Sequence, residues 1–170
     1  MHVRRIRADD VRSYREMRLR ALTLAPDAYG TTLQAALDRE YDDWEGMVLR
    51  AATAVDFALF VLDRGGGVLA GSGAAFVGQA PEAEVIQMWL DEDLRGQGWA
   101  ERLIDAAEGH LAAEGYEVCA LWVAEANARA RRFYERCGYA LTGEAETNGR
   151  GIREMRMRKR LAADGERPSG

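Results

Sequence analysis

The hydrophobic period changes twice within the middle of the chain, and this constrains the fold more than any other feature. Val85-Ile86-Gln87-Met88-Trp89-Leu90 is nearly continuous in apolar character, the mark of a strand buried on both faces. Ala100, Leu103, Ile104, Ala107 and Leu111 then recur at helical spacing until Gly115. Val118–Ala124 returns to an unbroken apolar run. A strand–helix–strand unit at the centre of the chain requires a sheet with a helix laid on its face.

The flanking segments fill in that sheet. Residues 2–7 read as a first strand, and Val11, Tyr14, Met17, Ala21 and Leu22 recur helically from Asp9 to about Leu24. Pro26 and Gly30 break the chain. A second helix is expected over roughly Leu33–Ala52, with Leu37, Tyr41, Trp44 and Val48 on its apolar side. Asp38, Glu40, Asp42, Asp43 and Glu45 make its other face, read as solvated. Asp56–Leu62 and Val68–Val77 form a hairpin around Gly65-Gly66-Gly67, although the glycines and alanines of the second run are weak strand formers. After a break at Pro81 and the central unit, Asn127–Cys137 reads as a short helix with Asn127 as N-cap and Gly138 as its stop. Tyr139–Glu146 and Ile152–Arg158 are late strands around Thr147-Asn148-Gly149. The expected architecture is α/β (α+β), a mixed sheet with helices on its faces. It is one domain over residues 1–161 with a polar, frayed tail over 162–170.

Composition removes several function classes. Among 170 residues, 48% are hydrophobic, yet no run approaches the roughly 20 apolar residues that span a bilayer. The basic start Met1–Arg7 lacks the apolar core of a signal peptide, so a cytoplasmic location without membrane partners is the expectation. Cys119 and Cys137 stand in no metal-ligand spacing, and His2 and His110 are the only histidines, so no metal is expected. A net charge of -5 weighs against nucleic acid and is compatible with a cationic substrate.

Between the central strand and the next helix lies Asp91-Glu92-Asp93-Leu94-Arg95-Gly96-Gln97-Gly98. Glycines there let backbone N–H groups converge on one spot, and the following helix adds its unpaired amides and dipole. Such a turn attracts phosphate, and Arg95 adds a guanidinium fork. A P-loop would need lysine and a hydroxyl where Trp99 and Ala100 stand. A dinucleotide fingerprint would need a small residue where Glu101 stands. The turn therefore reads as a diphosphate grip of another kind.

Arg95-Gly96-Gln97-Gly98-Trp99-Ala100 resembles the Arg/Gln-x-x-Gly-x-Gly/Ala signature of the GNAT superfamily of N-acetyltransferases. Asn127-Ala128-Arg129-Ala130-Arg131-Arg132-Phe133-Tyr134-Glu135-Arg136-Cys137-Gly138-Tyr139 is similar to that family's Asn-x-x-Ala-x-x-Phe-Tyr-x-x-x-Gly-Phe/Tyr segment. Pro26-Asp27-Ala28-Tyr29-Gly30-Thr31 is similar to its link between the first two helices. The resemblance spans residues 1–161 in element order and is densest over 84–139.

The resemblance implies a mostly antiparallel sheet whose two central parallel strands, Val85–Leu90 and Val118–Ala124, splay apart around acetyl-coenzyme A. It implies that Met88, Trp89 and Leu90 bond the pantetheine arm and that Arg95, Gly96, Gln97, Gly98, Trp99 and Ala100 hold the diphosphate. Asn127 would contact the cofactor arm, Tyr134 would protonate the leaving thiolate, and Glu84 would serve as base where a single base is used. Gln87 either bonds the splayed backbone or lines the acceptor cleft. Arg129, Arg131, Arg132 and Arg136 read as mostly solvated, with one or two near the 3′-phosphate. The expected reaction moves acetyl to a primary amine, on a small molecule or a protein, held around Tyr29–Thr32 and Asn148–Gly151. The alternative is a protein that binds or senses acyl-coenzyme A without turnover. Relatives are often dimers, which leaves a homodimer open.

Overall fold

The computed structural model describes residues 1–78 and 82–161. The expected break at Pro81 and the expected tail over 162–170 lie outside the described residues. Among the described residues there are seven strands: β1 (His2–Arg5), β2 (Phe57–Asp63), β3 (Leu69–Phe76), β4 (Ala83–Leu90), β5 (Val118–Ala124), β6 (Ala140–Thr147) and β7 (Arg153–Arg160). They form one sheet in the order β1-β2-β3-β4-β5-β7-β6. Every pairing is antiparallel except β4 with β5, so the sheet is mixed and mostly antiparallel.

Helices α1 (Val11–Leu24), α2 (Leu33–Leu37) and α3 (Tyr41–Thr53) supply one face, and α4 (Trp99–Ala113) and α5 (Ala128–Arg136) the other. Val11, Tyr14, Met17, Ala21, Leu22, Trp44 and Val48 bury with Leu59, Val61 and Trp89 beneath α1 and α3. Ile104, Ala107 and Leu111 of α4 bury with Val85, Leu121, Val123 and Met157 on the opposite side. The expected apolar stripes of α1 and α4 are thus the two core seams.

Two expectations are corrected. The first strand ends at Arg5, and a 3-10 turn over Ala8–Asp10 leads into α1. The single helix expected over Leu33–Ala52 is two helices, α2 and α3, with Leu37 46% and Tyr41 55% exposed at the break. The acidic run explains the interruption. Thr32 caps α2 by accepting from the Ala35 amide at 3.1 Å, and Asp42 and Asp43 fall in the first turn of α3. Carboxylates there meet the positive end of a new helix dipole rather than the middle of an old one.

The small residues of β3 are a packing requirement rather than a weakness. All of Leu69–Ala75 is buried, with Leu69 and Ala74 facing the α1–α3 core and Ala70 and Ala75 facing α4. A Cβ on Gly71 would stand 3.0 Å from Leu103 of α4, and one on Gly73 would stand 2.6 Å from the Met88 sulfur.

Candidate active site

β4 and β5 begin as neighbours and then part. They pair only at Ala83 with Cys119 and Glu84 with Ala120. Beyond Glu84, therefore, β4 has no ladder partner on its β5 side. A β-bulge sits in the same stretch. Against β3, Ser72 faces Trp89 and Ala74 faces Ile86, so Gly73 opposes both Gln87 and Met88. Gln87 is the only non-glycine residue at positive φ among the described residues, at 57°. The bulge puts Ile86 and Gln87 on the same face. Ile86 packs with the α1–α3 core, and the Gln87 side-chain oxygen accepts from the buried Tyr14 hydroxyl. Met88 turns the other way, toward α4.

The opening between the strands widens into a cavity of about 620 Å³. Its lining brings together Met88, Trp89, Leu90, Arg95, Gly96, Ala100, Asn127 and Tyr134, which come from β4, the 95–100 turn and α5. Gln97, Gly98 and Trp99 are not among the lining residues. The Gln97 amide folds back to donate to the Asp93 carbonyl at 2.8 Å. Gly98 is the N-cap of α4 at φ 80°, and Gly96 sits at φ 76°, conformations in which an L side chain is strained. The first backbone bond inside α4 runs from the Arg102 amide to the Gly98 carbonyl at 3.2 Å. The amides of the preceding helical residues have no intrahelical acceptor.

Asn127 is the N-cap of α5: its Oδ1 accepts from the Ala130 amide at 3.0 Å, which leaves the Nδ2 donor unspent on the helix. Gly138 ends that helix at φ 92°. Tyr134 stacks at an angle on Phe133, 5.2 Å between ring centres, and on Tyr139, 5.9 Å away. Its hydroxyl bonds to no protein group among the described residues. Burial pushes that phenol above its ordinary value, so it stays protonated throughout the neutral range.

Charge in the cavity opposes the charge of the chain. Arg95, Arg129, Arg132 and Arg136 line it against a single carboxylate, Glu101. These three α5 arginines are exposed where they line the cavity, which agrees with their reading as mostly solvated. Residues 129, 132 and 136 are spaced i, i+3, i+7, which is one helix face, and that spacing was a usable signal. Arg131 points elsewhere, toward the Met155 sulfur at 3.5 Å. Arg95 lies 5.5 Å over the Trp89 ring and donates to the Leu90 carbonyl at 3.3 Å.

Tyr29 is the lining residue whose contact the sequence did not disclose. Its hydroxyl donates to the Met88 carbonyl at 3.1 Å, so the 25–32 link is tied directly to the bulge. Burial raises its pKa to about 12. Arg150 of the β6–β7 turn ties the second expected acceptor segment to the first, donating to the Pro26 and Tyr29 carbonyls.

Glu84 lies outside the cavity. It occupies the last paired position before the strands diverge, on the sheet face opposite Val85 and α4. That face carries the half-buried Trp122 and Arg156 across β5 and β7. Burial raises the Glu84 carboxyl pKa, partly offset by Arg156 and the Trp122 indole.

A family model for acetyltransferases of the GNAT family matches residues 18–139 of this chain. No curated protein sequence matches it. Among solved structures, the yncA protein of Salmonella typhimurium with its cofactor acetyl-CoA is 16% identical with a TM-score of 0.76, over 100% of this chain and 99% of that one. The GNAT acetyltransferase of Streptococcus pneumoniae is 16% identical with a TM-score of 0.78, over 95% and 99% of the two chains. The PaiA N-acetyltransferase of Thermoplasma acidophilum in complex with coenzyme A is 17% identical with a TM-score of 0.71, over 94% and 98%. At such identities the likeness is one of fold.

Proposed function

The chain belongs to the GNAT family of acetyltransferases, and on that premise we propose that it moves the acetyl group of acetyl-coenzyme A to a primary amine by direct attack. The observation that carries this reading is the cavity itself. A diphosphate turn, an unpaired strand edge, a capping asparagine and a protonated tyrosine open onto one space lined by four arginines. Coenzyme A needs each of these features, since it joins a diphosphate and a 3′-phosphate to an extended amide arm ending in sulfur.

In this reading the Gly96–Ala100 backbone and Arg95 hold the diphosphate, and α5 arginines meet the 3′-phosphate. Gln97 and Trp99 shape the turn rather than touch the cofactor. The free edge at Met88–Leu90 and the Asn127 amide hold the pantetheine arm. The neutral amine attacks the thioester carbon, and the C–O electron pair moves onto oxygen, steadied by backbone N–H near Met88–Trp89. Collapse breaks the C–S bond. Tyr134 donates its proton to the departing thiolate, and the amine proton leaves through Glu84, directly or through water. Glu84, at the point of the splay on the other face, suits an acceptor that arrives opposite the cofactor. Its raised pKa makes it a stronger base than an exposed glutamate.

The test is coenzyme A release across a panel of small amines and amino-terminal peptides, beside calorimetric titration of acetyl-coenzyme A. Binding with release on at least one amine supports the reading. Tight binding with no release on any amine replaces it with an acyl-coenzyme A sensor.

A further inference from the structure

The α1–α3 side of the sheet carries a second group of arginines, one of them stacked on the cavity-lining Tyr29. Among the described residues, four buried side-chain atoms have no hydrogen-bond partner: Arg18 Nη1, Trp44 Nε1, Asn148 Nδ2 and Arg156 Nε. All four are donors. Leaving a donor buried and unpaired costs about 1–3 kcal/mol, so what is missing from this face is acceptor atoms. Arg156, Arg158, Arg20 and Arg150 on the same side of the sheet each meet a carboxylate within 4.0 Å.

Arg18 and Arg39 do not. Neither meets a carboxylate within salt-bridge distance among the described residues, and the one hydrogen-bond partner of Arg39 is the Met47 thioether at 3.7 Å. Both guanidinium groups lie instead on aromatic rings. Arg18 is 4.1 Å over Tyr29, whose hydroxyl holds the Met88 carbonyl. Arg39 is 4.9 Å over Trp44, which packs edge-on against Tyr14, whose hydroxyl holds Gln87. The two cations thus flank the pair of phenols that grip the bulge, one ring away from the strand edge assigned to the acetylated arm. Stacking leaves the in-plane N–H fork of a guanidinium free, and a carboxylate is its planar match.

We propose that Arg18, with Arg39 behind it, binds a carboxylate of the acceptor, so that the molecule acetylated is an amino acid or a similar amine bearing an acid group. This rests on the acetyl-transfer reading above and narrows it. The amine would face the splay while the acid group meets the N–H fork of Arg18, stacked on Tyr29 of the 25–32 link. It adds an acid group to the cationic amine with which the net charge of -5 is compatible.

The experiment compares L-amino acids with their carboxamides, which keep the amine and lose the charge. Coenzyme A release and calorimetric binding to the coenzyme A-loaded protein are both measured, on wild type, Arg18→Gln, Arg18→Lys and Arg39→Gln. The expected result is a preference of about tenfold or more for the acid over its amide. That preference collapses in Arg18→Gln, because the acid loses far more than the amide does. Arg18→Lys restores part of it, and Arg39→Gln weakens it in the same sense. Equal handling of acid and amide by wild type overturns the proposal, as does an Arg18→Gln loss that falls on both alike. An Arg18-dependent binding preference without any coenzyme A release upholds this proposal and defeats the transfer reading instead.

Discussion

The two faces of the splayed strand pair are built by different rules. On the α4–α5 side, most of the site comes from two short blocks, residues 95–100 and 127–136, each a turn followed by a helix, with Met88–Leu90 and the segment around Tyr29 completing it. Its chemistry is backbone amides, helix ends and a patch of guanidinium groups at helical spacing. On the α1–α3 side, Tyr14 meets Gln87 and Trp44, and Tyr29 meets Met88 and Arg18, contacts made only by the tertiary fold. Local rules suffice to grip a cofactor whose phosphates never change. An acceptor needs a surface that can vary without disturbing that grip.

The comparison breaks most directly at Tyr134, the cavity residue proposed above to protonate the leaving sulfur. Tyr134→Phe should lower kcat by about 10²-fold, the ordinary contribution of a general acid, while acetyl-coenzyme A affinity stays within about twofold. Stopped-flow thiol release and calorimetry separate the two. A fall in affinity with kcat unchanged would make Tyr134 a packing residue.

Next in size is the hinge between the faces. A Cβ on Gly73 would collide with the Met88 sulfur at 2.6 Å, and Met88 belongs to the bulge that both faces share. Gly73→Ala should cost about 1–3 kcal/mol of stability by denaturant unfolding. It should also reduce acetyl-coenzyme A binding and acceptor handling together, because one strand serves both. Loss on one face alone would mean that the faces are less coupled than the bulge suggests.

Smaller still is the charge patch. Arg132→Gln should weaken coenzyme A by about three- to tenfold, a single charge-assisted contact. It should flatten the salt dependence of binding and leave kcat at saturation unchanged. Binding of coenzyme A lacking the 3′-phosphate should change less, which checks the group assigned to α5.

These differences also explain what the sequence disclosed. The element order, the 95–100 turn and the Asn127–Gly138 helix were readable because periodicity, capping and glycine stops act over a few residues. The break at Asp38–Glu40 was missed because a helical apolar pattern continues across it, and only the acidic first turn of α3 marks a fresh start. The arginine face of α5 was available in the spacing 129, 132, 136 but depended on knowing which side of a short helix meets the cavity. The bulge at Gln87 and the Tyr29–Met88 bond had no local signature at all. They depend on Gly73 and on the 25–32 link lying alongside β4, contacts made across more than ten residues of chain.

The smallest expected effect belongs to Glu84, and it tests whether the acceptor face is built for chemistry or for stability. Its carboxyl pKa is raised in the folded protein by burial. The folded state therefore binds more proton than the unfolded state between the ordinary glutamate value, about 4.3, and the folded value. Stability falls as pH rises through that window, and above it the full penalty of holding the carboxylate half-buried remains. Glu84→Gln removes the penalty and keeps an acceptor oxygen for its neighbours. The melting temperature at pH 7 should equal or exceed that of wild type, with the difference vanishing below about pH 4. Turnover should fall only a few-fold, because water can take the amine proton in its place. A stabilised but slower enzyme marks a carboxylate kept at a folding cost for its basicity. A destabilised one would mean that Glu84 serves the fold through Arg156 and Trp122, and the proton would then leave by another path.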